Sequence, residues 1–126
     1  MTAFFVSFLA GGWRPGESFP GGHLLLQASG AAFATVVIAQ TANAWACRST
    51  TRWPGALGWL SNRLLVWGAA VELVIAGVFL LLPPLASLLD QALPSAAGWA
   101  VALASAPLML AVDASHKRAR RRRASR

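Results

Sequence analysis

The sequence predicts an all-α integral membrane protein, built as a half helix plus three transmembrane helices in an up-down bundle. Of its 126 residues, 56% are hydrophobic and only 12% are charged, whereas soluble domains usually carry about 25% charged residues. Residues 64–82, LLVWGAAVELVIAGVFLLL, are apolar except for Glu72. A helix of that length rises about 28 Å, close to the thickness of the hydrocarbon core of a bilayer.

The first element, residues 1–10, is apolar but short. As a helix it would span about 15 Å, half of a membrane, and we therefore expect it to be the second half of a longer helix. The beginning of that helix would then be absent from this sequence. A loop rich in glycine and proline, 11–23, follows it.

The second hydrophobic segment, 24–47, is long enough to span but unusually polar. Its polar side chains are Gln27, Ser29, Thr35, Gln40, Thr41 and Asn43. Gln40 and Asn43 are three residues apart and share a helix face, so at least one side of this helix is expected to contact protein. The single cysteine, Cys47, excludes an internal disulfide, and we expect it to be buried.

The connecting loop, 48–63, holds three arginines and no acid, and either Ser61 or Asn62 can cap the helix that follows. In that helix, 64–82, an acid at the centre, Glu72, raises the free energy of membrane insertion by about 2.5–3.5 kcal/mol. Gly68, Glu72 and Ala76 form one small-residue stripe that would let a partner helix approach closely. The opposite side, expected to meet lipid, carries Leu73, Phe79 and Leu80.

Pro83 and Pro84 end this helix, and residues 83–94 are expected to form a short loop. The last span, about 95–112, contains Pro107, which should kink it. Asp113 follows at its end. We therefore place the membrane domain at residues 1–115 and a basic tail at 116–126.

Charge predicts the orientation. The loop 48–63 holds three arginines, the tail holds seven lysines or arginines, and the other two loops hold only Arg14. Positively charged loops stay in the cytoplasm, so we expect a multi-pass protein of the cell membrane with a cytoplasmic C-terminus. A basic tail after an apolar helix favours contact with anionic lipid. The tail lacks the interleaved aromatics of a nucleic-acid site, and no nucleic-acid partner is expected.

Two roles remain open for the intramembrane polar groups. Oxygen atoms of Glu72, Gln40 and Asn43 on adjacent helices are the ligand type that a hard cation needs, which makes these residues ion-path candidates. Alternatively, a protonated Glu72 hydrogen-bonds across helices and holds them together. The sequence contains no phosphate-binding glycine loop and no nucleophile with a neighbouring base, and so predicts no catalytic residue and no metal cluster.

Three stretches carry a more specific resemblance: VVIAQTANAWACRSTTR, SNRLLVWGAAVELVIAGVFLLLPPL and APLMLAVDASHKRARR. Together they resemble the C-terminal membrane region of P-type cation-transporting ATPases, in the branch that holds the calcium pumps and the sodium/potassium pump. The resemblance covers about residues 1–123. It implies that the segments are the end of the seventh helix and the whole of the eighth, ninth and tenth.

The same resemblance assigns positions. Gln40 matches an eighth-helix position where some calcium pumps have a glutamate ion ligand, and Asn43 matches an aspartate of sodium/potassium pumps. Glu72 matches a ninth-helix glutamate linked to a sodium site, and Asp113 matches an acid at the cytoplasmic end of the last helix. This chain therefore has amides at two of the three ion-linked positions.

The resemblance also implies a role. The chain would be a pump fragment that supports ATP-driven cation transport only within the full pump, because it has no Asp-Lys-Thr-Gly motif. It would then be a truncated or split gene product, or one whose start codon is assigned too late. It is not expected to be an enzyme alone; ATP and Mg would be bound by the missing cytoplasmic domains. Its partners would be the lipid bilayer, the remaining pump helices and a transported cation. The alternative is a free-standing small membrane protein that binds or regulates another membrane protein.

Overall fold

The computed structural model of the chain describes residues 1–49, 52 and 54–124. Within this part the structure is helical and holds no strand, which confirms the predicted all-α class. A short 3-10 turn, Pro54–Leu57, lies between the second and third of five helices. The α-helices are α1 Thr2–Ala10, α2 Gly22–Ala46, α3 Arg63–Leu81, α4 Pro83–Leu88 and α5 Ala96–Ala124. Among them, α2, α3 and α5 are long and apolar enough to cross a membrane.

Helix α2 is the centre of the bundle. It packs against α5, α1 and α3, while α1 also packs against α5. Helix α3 packs against α2 and α4 and leaves most of its large apolar side chains exposed. The bundle therefore has a tight part, α1–α2–α5, and a peripheral helix, α3.

Small residues hold the tight part together. A Cβ atom added at Gly98 of α5 would lie 2.8 Å from the Ala31 Cβ of α2 and 3.0 Å from the Ser7 Oγ of α1. Ala31 is fully buried and Ser7 almost so. We call Ser7, Ala31 and Gly98 the small-residue junction. Such residues let helix backbones approach closely, which is the main source of helix–helix attraction in lipid.

A second close approach fixes the segment between α4 and α5. The Ala92 N–H donates to the Leu26 carbonyl at 2.9 Å, which brings the backbone of this segment against α2. A Cβ atom at Gly30 would lie 2.0 Å from the Ala92 carbonyl oxygen. Gly30 therefore has no room for any side chain.

The start of α3 is fixed by a cap. Asn62 Oδ1 accepts a hydrogen bond from the Leu65 N–H at 3.2 Å, so Asn62 rather than Ser61 is the capping residue. Ser61 belongs to the preceding loop, where Arg48 donates to its Oγ at 2.6 Å and to the Gly58 carbonyl at 2.8 Å. These bonds join the end of α2 to the beginning of α3.

Two predicted boundaries differ from the structure. Pro83 and Pro84 do end α3, but they also begin α4, because proline is tolerated in the first turn of a helix. Helix α5 continues to Ala124, about three turns beyond residue 112. Lysine, arginine and alanine are good helix formers, and positive side chains stabilise a helix C-terminus. Residues 125 and 126 of the predicted tail lie outside the described residues.

Two predicted environments are wrong. Cys47 is exposed because it follows the last residue of α2, where the chain leaves the bundle. Leu80, predicted to face lipid, is buried in a cluster with Ala34 of α2 and Ala102 of α5. The large exposed apolar side chains of α3 are Leu64, Trp67, Val71, Leu73, Val74, Ile75, Val78 and Leu81.

The close approach at Gly30 gives the first prediction. Gly30→Ala should destabilise the fold by about 1–3 kcal/mol, because the added methyl group must displace the Ala92 backbone. Gly68→Ala is the matched control: it makes the same change inside a helix where no atom lies within 4 Å of the added Cβ. Thermal unfolding of the full chain in detergent, followed by circular dichroism, measures both. Equal melting temperatures for the two variants would contradict the prediction.

Candidate functional site

A hydrogen bond joins the Glu72 carboxyl to the neighbouring helix. The Thr41 Oγ1 of α2 lies 3.1 Å from the Glu72 Oε2 of α3. Both side chains are half-buried. Thr41 lies next to Gln40 in the chain, so the structure places Glu72 at the same depth as the polar positions of α2.

The Thr41 hydroxyl has two acceptors within reach and one proton. Its Oγ1 lies 2.9 Å from the Val37 carbonyl oxygen of its own helix and 3.1 Å from Glu72 Oε2. An ionised Glu72 can only accept, and the Thr41 hydroxyl then donates its hydrogen bond to the carboxylate. A protonated Glu72 can donate to Thr41 Oγ1 and leave the hydroxyl proton to Val37. The charge of Glu72 therefore decides whether the Thr41 hydroxyl donates to Glu72 or to the Val37 carbonyl.

The other two ion-path candidates lie elsewhere on α2. Gln40 is exposed and Asn43 is half-buried, and with Met109 of α5 they line a shallow groove of about 300 Å³. Because successive residues turn by about 100° on a helix, Asn43 lies about 160° around α2 from Thr41. Among the described residues, no hydrogen bond joins Glu72 to Gln40 or Asn43. The three ion-path candidates therefore lie at a similar depth but do not converge on one site.

The small-residue stripe around Glu72 is only half occupied. Ala76 is buried against the bundle, whereas Gly68 has open space where a Cβ would be. Gly68 and Glu72 line two grooves of about 340 and 400 Å³ along the α2–α3 crevice. The carboxyl group thus borders space that this chain leaves unfilled.

Lys117 makes polar contacts that were not predicted from the sequence. Its ammonium donates to the Ala46 carbonyl at 2.6 Å and to Asp113 Oδ2 at 2.5 Å, and the residue is only 6% exposed. Ala46 is the last residue of α2, whose final carbonyls lack partners within the helix and carry partial negative charge. Lys117 therefore ties the end of α2 to α5, and Asp113 holds the ammonium in place. The i, i+4 spacing of Asp113 and Lys117 was the available signal.

The Glu72 carboxyl and the Gln40 and Asn43 amides are separate oxygen groups and do not surround a common ion site. The described residues include no group of three or more His, Cys, Asp or Glu side chains that could hold a metal. The Glu72 carboxyl borders one crevice, and the Gln40 and Asn43 amides border another. Further ligands would have to come from outside this chain for a cation to be surrounded.

The fold and these contacts define a multi-pass helical membrane protein with polar groups at its helix–helix contacts. Residues 1–119 match the family described as "Cation transporting ATPase, C-terminus". The chain belongs to this family. No curated protein and no solved structure matches the chain.

The Lys117 contact gives the second prediction. Lys117→Met should destabilise the fold by about 3 kcal/mol, because Asp113 and the Ala46 carbonyl lose their shared donor in a largely buried place. Combining Lys117→Met with Asp113→Asn should cost less than the sum of the two single changes. A double-mutant cycle on thermal unfolding of the full chain measures this coupling. Strict additivity would show that Asp113 does not hold Lys117.

The third prediction separates the interhelical hydrogen bond from the local one. Thr41→Val should destabilise the fold by about 0.6–1.7 kcal/mol, the range of such bonds between membrane helices. Thr35→Val is the control, because among the described residues the Thr35 hydroxyl bonds only to the Ala31 carbonyl of its own helix, at 2.7 Å. Unfolding of both variants in the same detergent compares them. A Thr41 effect no larger than the Thr35 effect would mean that Glu72 gains nothing from Thr41.

Proposed function

We propose that this chain is the membrane-embedded C-terminal part of a P-type cation pump and that it supports ATP-driven cation transport when joined to the rest of that pump. The match of residues 1–119 to the C-terminal family of cation-transporting ATPases carries the proposal. The pump's ATP and Mg are bound elsewhere, in the cytoplasmic domains that do the phosphoryl chemistry.

The first part of the role is to support the transport helices. Gln40 is exposed, and in a bilayer an amide that faces hydrocarbon is costly. The Gln40–Asn43 groove and the open space at Gly68 are therefore surfaces for further pump helices. The small-residue junction gives these surfaces a rigid base, because α1, α2 and α5 are in close backbone contact there.

The second part of the role is to contribute to an ion path. Glu72 supplies the one carboxyl group within the described apolar part of α3, and Gln40 and Asn43 supply amide oxygens at a similar depth. Two amides in place of two acids leave less negative charge for a cation than the calcium or sodium/potassium pump patterns offer. In this proposal Glu72 is the main charge, and the amides complete coordination with ligands from other helices.

The orientation follows from the charge distribution. We call the end of the bundle with the loop 47–62 and the last turns of α5 the basic end. In the sequence, ten of the eleven lysines and arginines lie at positions 48–63 or 117–126. By the positive-inside bias the basic end faces the cytoplasm of the cell membrane.

The test of membership in a working pump is the size of the native product. An epitope fused after Arg126 at the chromosomal locus should give a membrane-fraction band far larger than 13.2 kDa. In-frame upstream DNA should then encode an Asp-Lys-Thr-Gly motif. A band near 13.2 kDa without that motif would overturn the proposal and favour a small membrane protein that binds another one.

The fourth prediction concerns the ion path. In ATP-driven cation uptake by vesicles that hold the full pump, Glu72→Gln should lower the apparent cation affinity by about tenfold or more, because the main charge is lost. Gln40→Ala and Asn43→Ala should have smaller effects in the same direction.

Gln27→Ala is the matched control, a half-buried amide of α2 outside the proposed path. An uptake affinity that changes equally in Gln27→Ala and Glu72→Gln would contradict the ion-path role. If Glu72→Gln lowers thermal stability but leaves the cation affinity unchanged, the function of Glu72 is the interhelical hydrogen bond with Thr41.

A further inference from the structure

A polar pocket lies at the basic end, between the last turn of α2 and the continuation of α5. It has a volume of about 270 Å³ and is bordered by Cys47 on the α2 side. On the α5 side it is bordered by Asp113, His116, Lys117 and Arg120. It is separate from the crevices that hold Glu72 and from the Gln40–Asn43 groove.

The helical continuation of α5 creates this pocket. Residues 113, 116, 117 and 120 have the spacing i, i+3, i+4 and i+7, which puts them on one face of a helix. That face is turned toward α2, as the contact of Lys117 with the Ala46 carbonyl shows. Arg118 lies about 160° around α5 from Arg120, and it does not line the pocket.

The pocket offers several hydrogen-bond donors. The Lys117 ammonium has three N–H groups, of which two are used by Ala46 and Asp113. The side chains of His116 and Arg120 are exposed and make no hydrogen bond to the described residues. One fixed cation and two free donor side chains thus border the same space.

The charges favour an anion. Lys117 and Arg120 contribute two positive charges and Asp113 one negative charge, which leaves a net charge of +1 with His116 neutral. The Asp113 carboxylate is paired with Lys117, so its repulsion of an anion is reduced. A phosphate group has enough acceptor oxygens to bond lysine, arginine and histidine together, and arginine suits its geometry.

The depth of the pocket matches the headgroup layer. A helix needs about 20 residues to cross the hydrocarbon core of a bilayer. Helix α5 begins at Ala96, so residues near 116 reach the level of the lipid phosphates. A basic pocket at this level meets anionic lipid headgroups directly.

We propose that this pocket is a binding site for a phosphate group, with an anionic phospholipid as its source. His116, Lys117 and Arg120 bind the phosphate, and Asp113 positions Lys117. The site does not depend on the ion path, so its test and the uptake test can fail separately.

The experiment measures lipid retention by the full chain in detergent micelles, using native mass spectrometry. Phosphatidic acid is titrated against phosphatidylcholine with the same acyl chains. One phosphatidic acid molecule should be retained in preference to phosphatidylcholine, and Arg120→Gln should weaken its binding by about tenfold, the effect of losing one charge-assisted hydrogen bond. His116→Ala should weaken it in the same direction. Arg118→Gln removes the same charge from another face of α5 and should leave the binding unchanged.

The source of the phosphate is tested by competition. Millimolar inorganic phosphate that fails to displace phosphatidic acid supports a lipid site, and displacement supports a site for free phosphate in the same pocket. Equal losses in Arg118→Gln and Arg120→Gln, or equal retention of the two lipids, would overturn the proposal. A further check places a photo-reactive amino acid at position 116 in native membranes. A cross-link to a protein segment rather than to lipid would also overturn the proposal, because a protein would then fill the pocket.

Discussion

In a bilayer, apolar side chains gain little by leaving lipid for protein, so helices associate where their backbones can approach closely. This constraint governs the structure. The small-residue junction of Ser7, Ala31 and Gly98 brings three helices together where a single added methyl group would clash. Gly30 does the same for the segment that leads into α5. The position of α5, and with it that of Lys117 and Arg120, follows from these contacts.

Helix α3 is held differently. It lacks comparable close contacts and leaves most of its apolar side chains exposed, so the cap at Asn62, the buried Leu80 and the Thr41–Glu72 hydrogen bond have a large share in placing it. This makes the two roles considered for Glu72 compatible. The carboxyl group that links two helices also borders the open grooves of the α2–α3 crevice, where the proposed ion path lies. Because one Thr41 proton serves two acceptors, a change in the charge of Glu72 would also change the hydrogen bonding of the α2 backbone.

Much of the fold could be predicted from the sequence because length and apolar composition decide which segments span a membrane. The polar pair Gln40 and Asn43 was predicted correctly to share a face, since helix periodicity fixes that relation. The separation of this pair from Glu72 could not be predicted, because the rotation of α2 relative to α3 depends on packing. The role of Lys117 was hidden for a similar reason. The i, i+4 spacing from Asp113 marks Lys117 within the run of basic residues, but nothing local shows that its ammonium reaches the Ala46 carbonyl of a neighbouring helix. The extra helix α4 was missed because proline both ends one helix and begins another.

The unbroken continuation of α5 has a mechanical consequence. Its 29 residues form one continuous helix with Pro107 inside it, and this helix is about 43 Å long. The small-residue junction lies near one end and the arginines lie near the other. In a helix of this length, a rotation of a few degrees about the junction would move the far end by several ångströms, and the Lys117 contact with the end of α2 opposes that movement. The position of the last turns of α5 therefore depends on packing at the opposite side of the membrane.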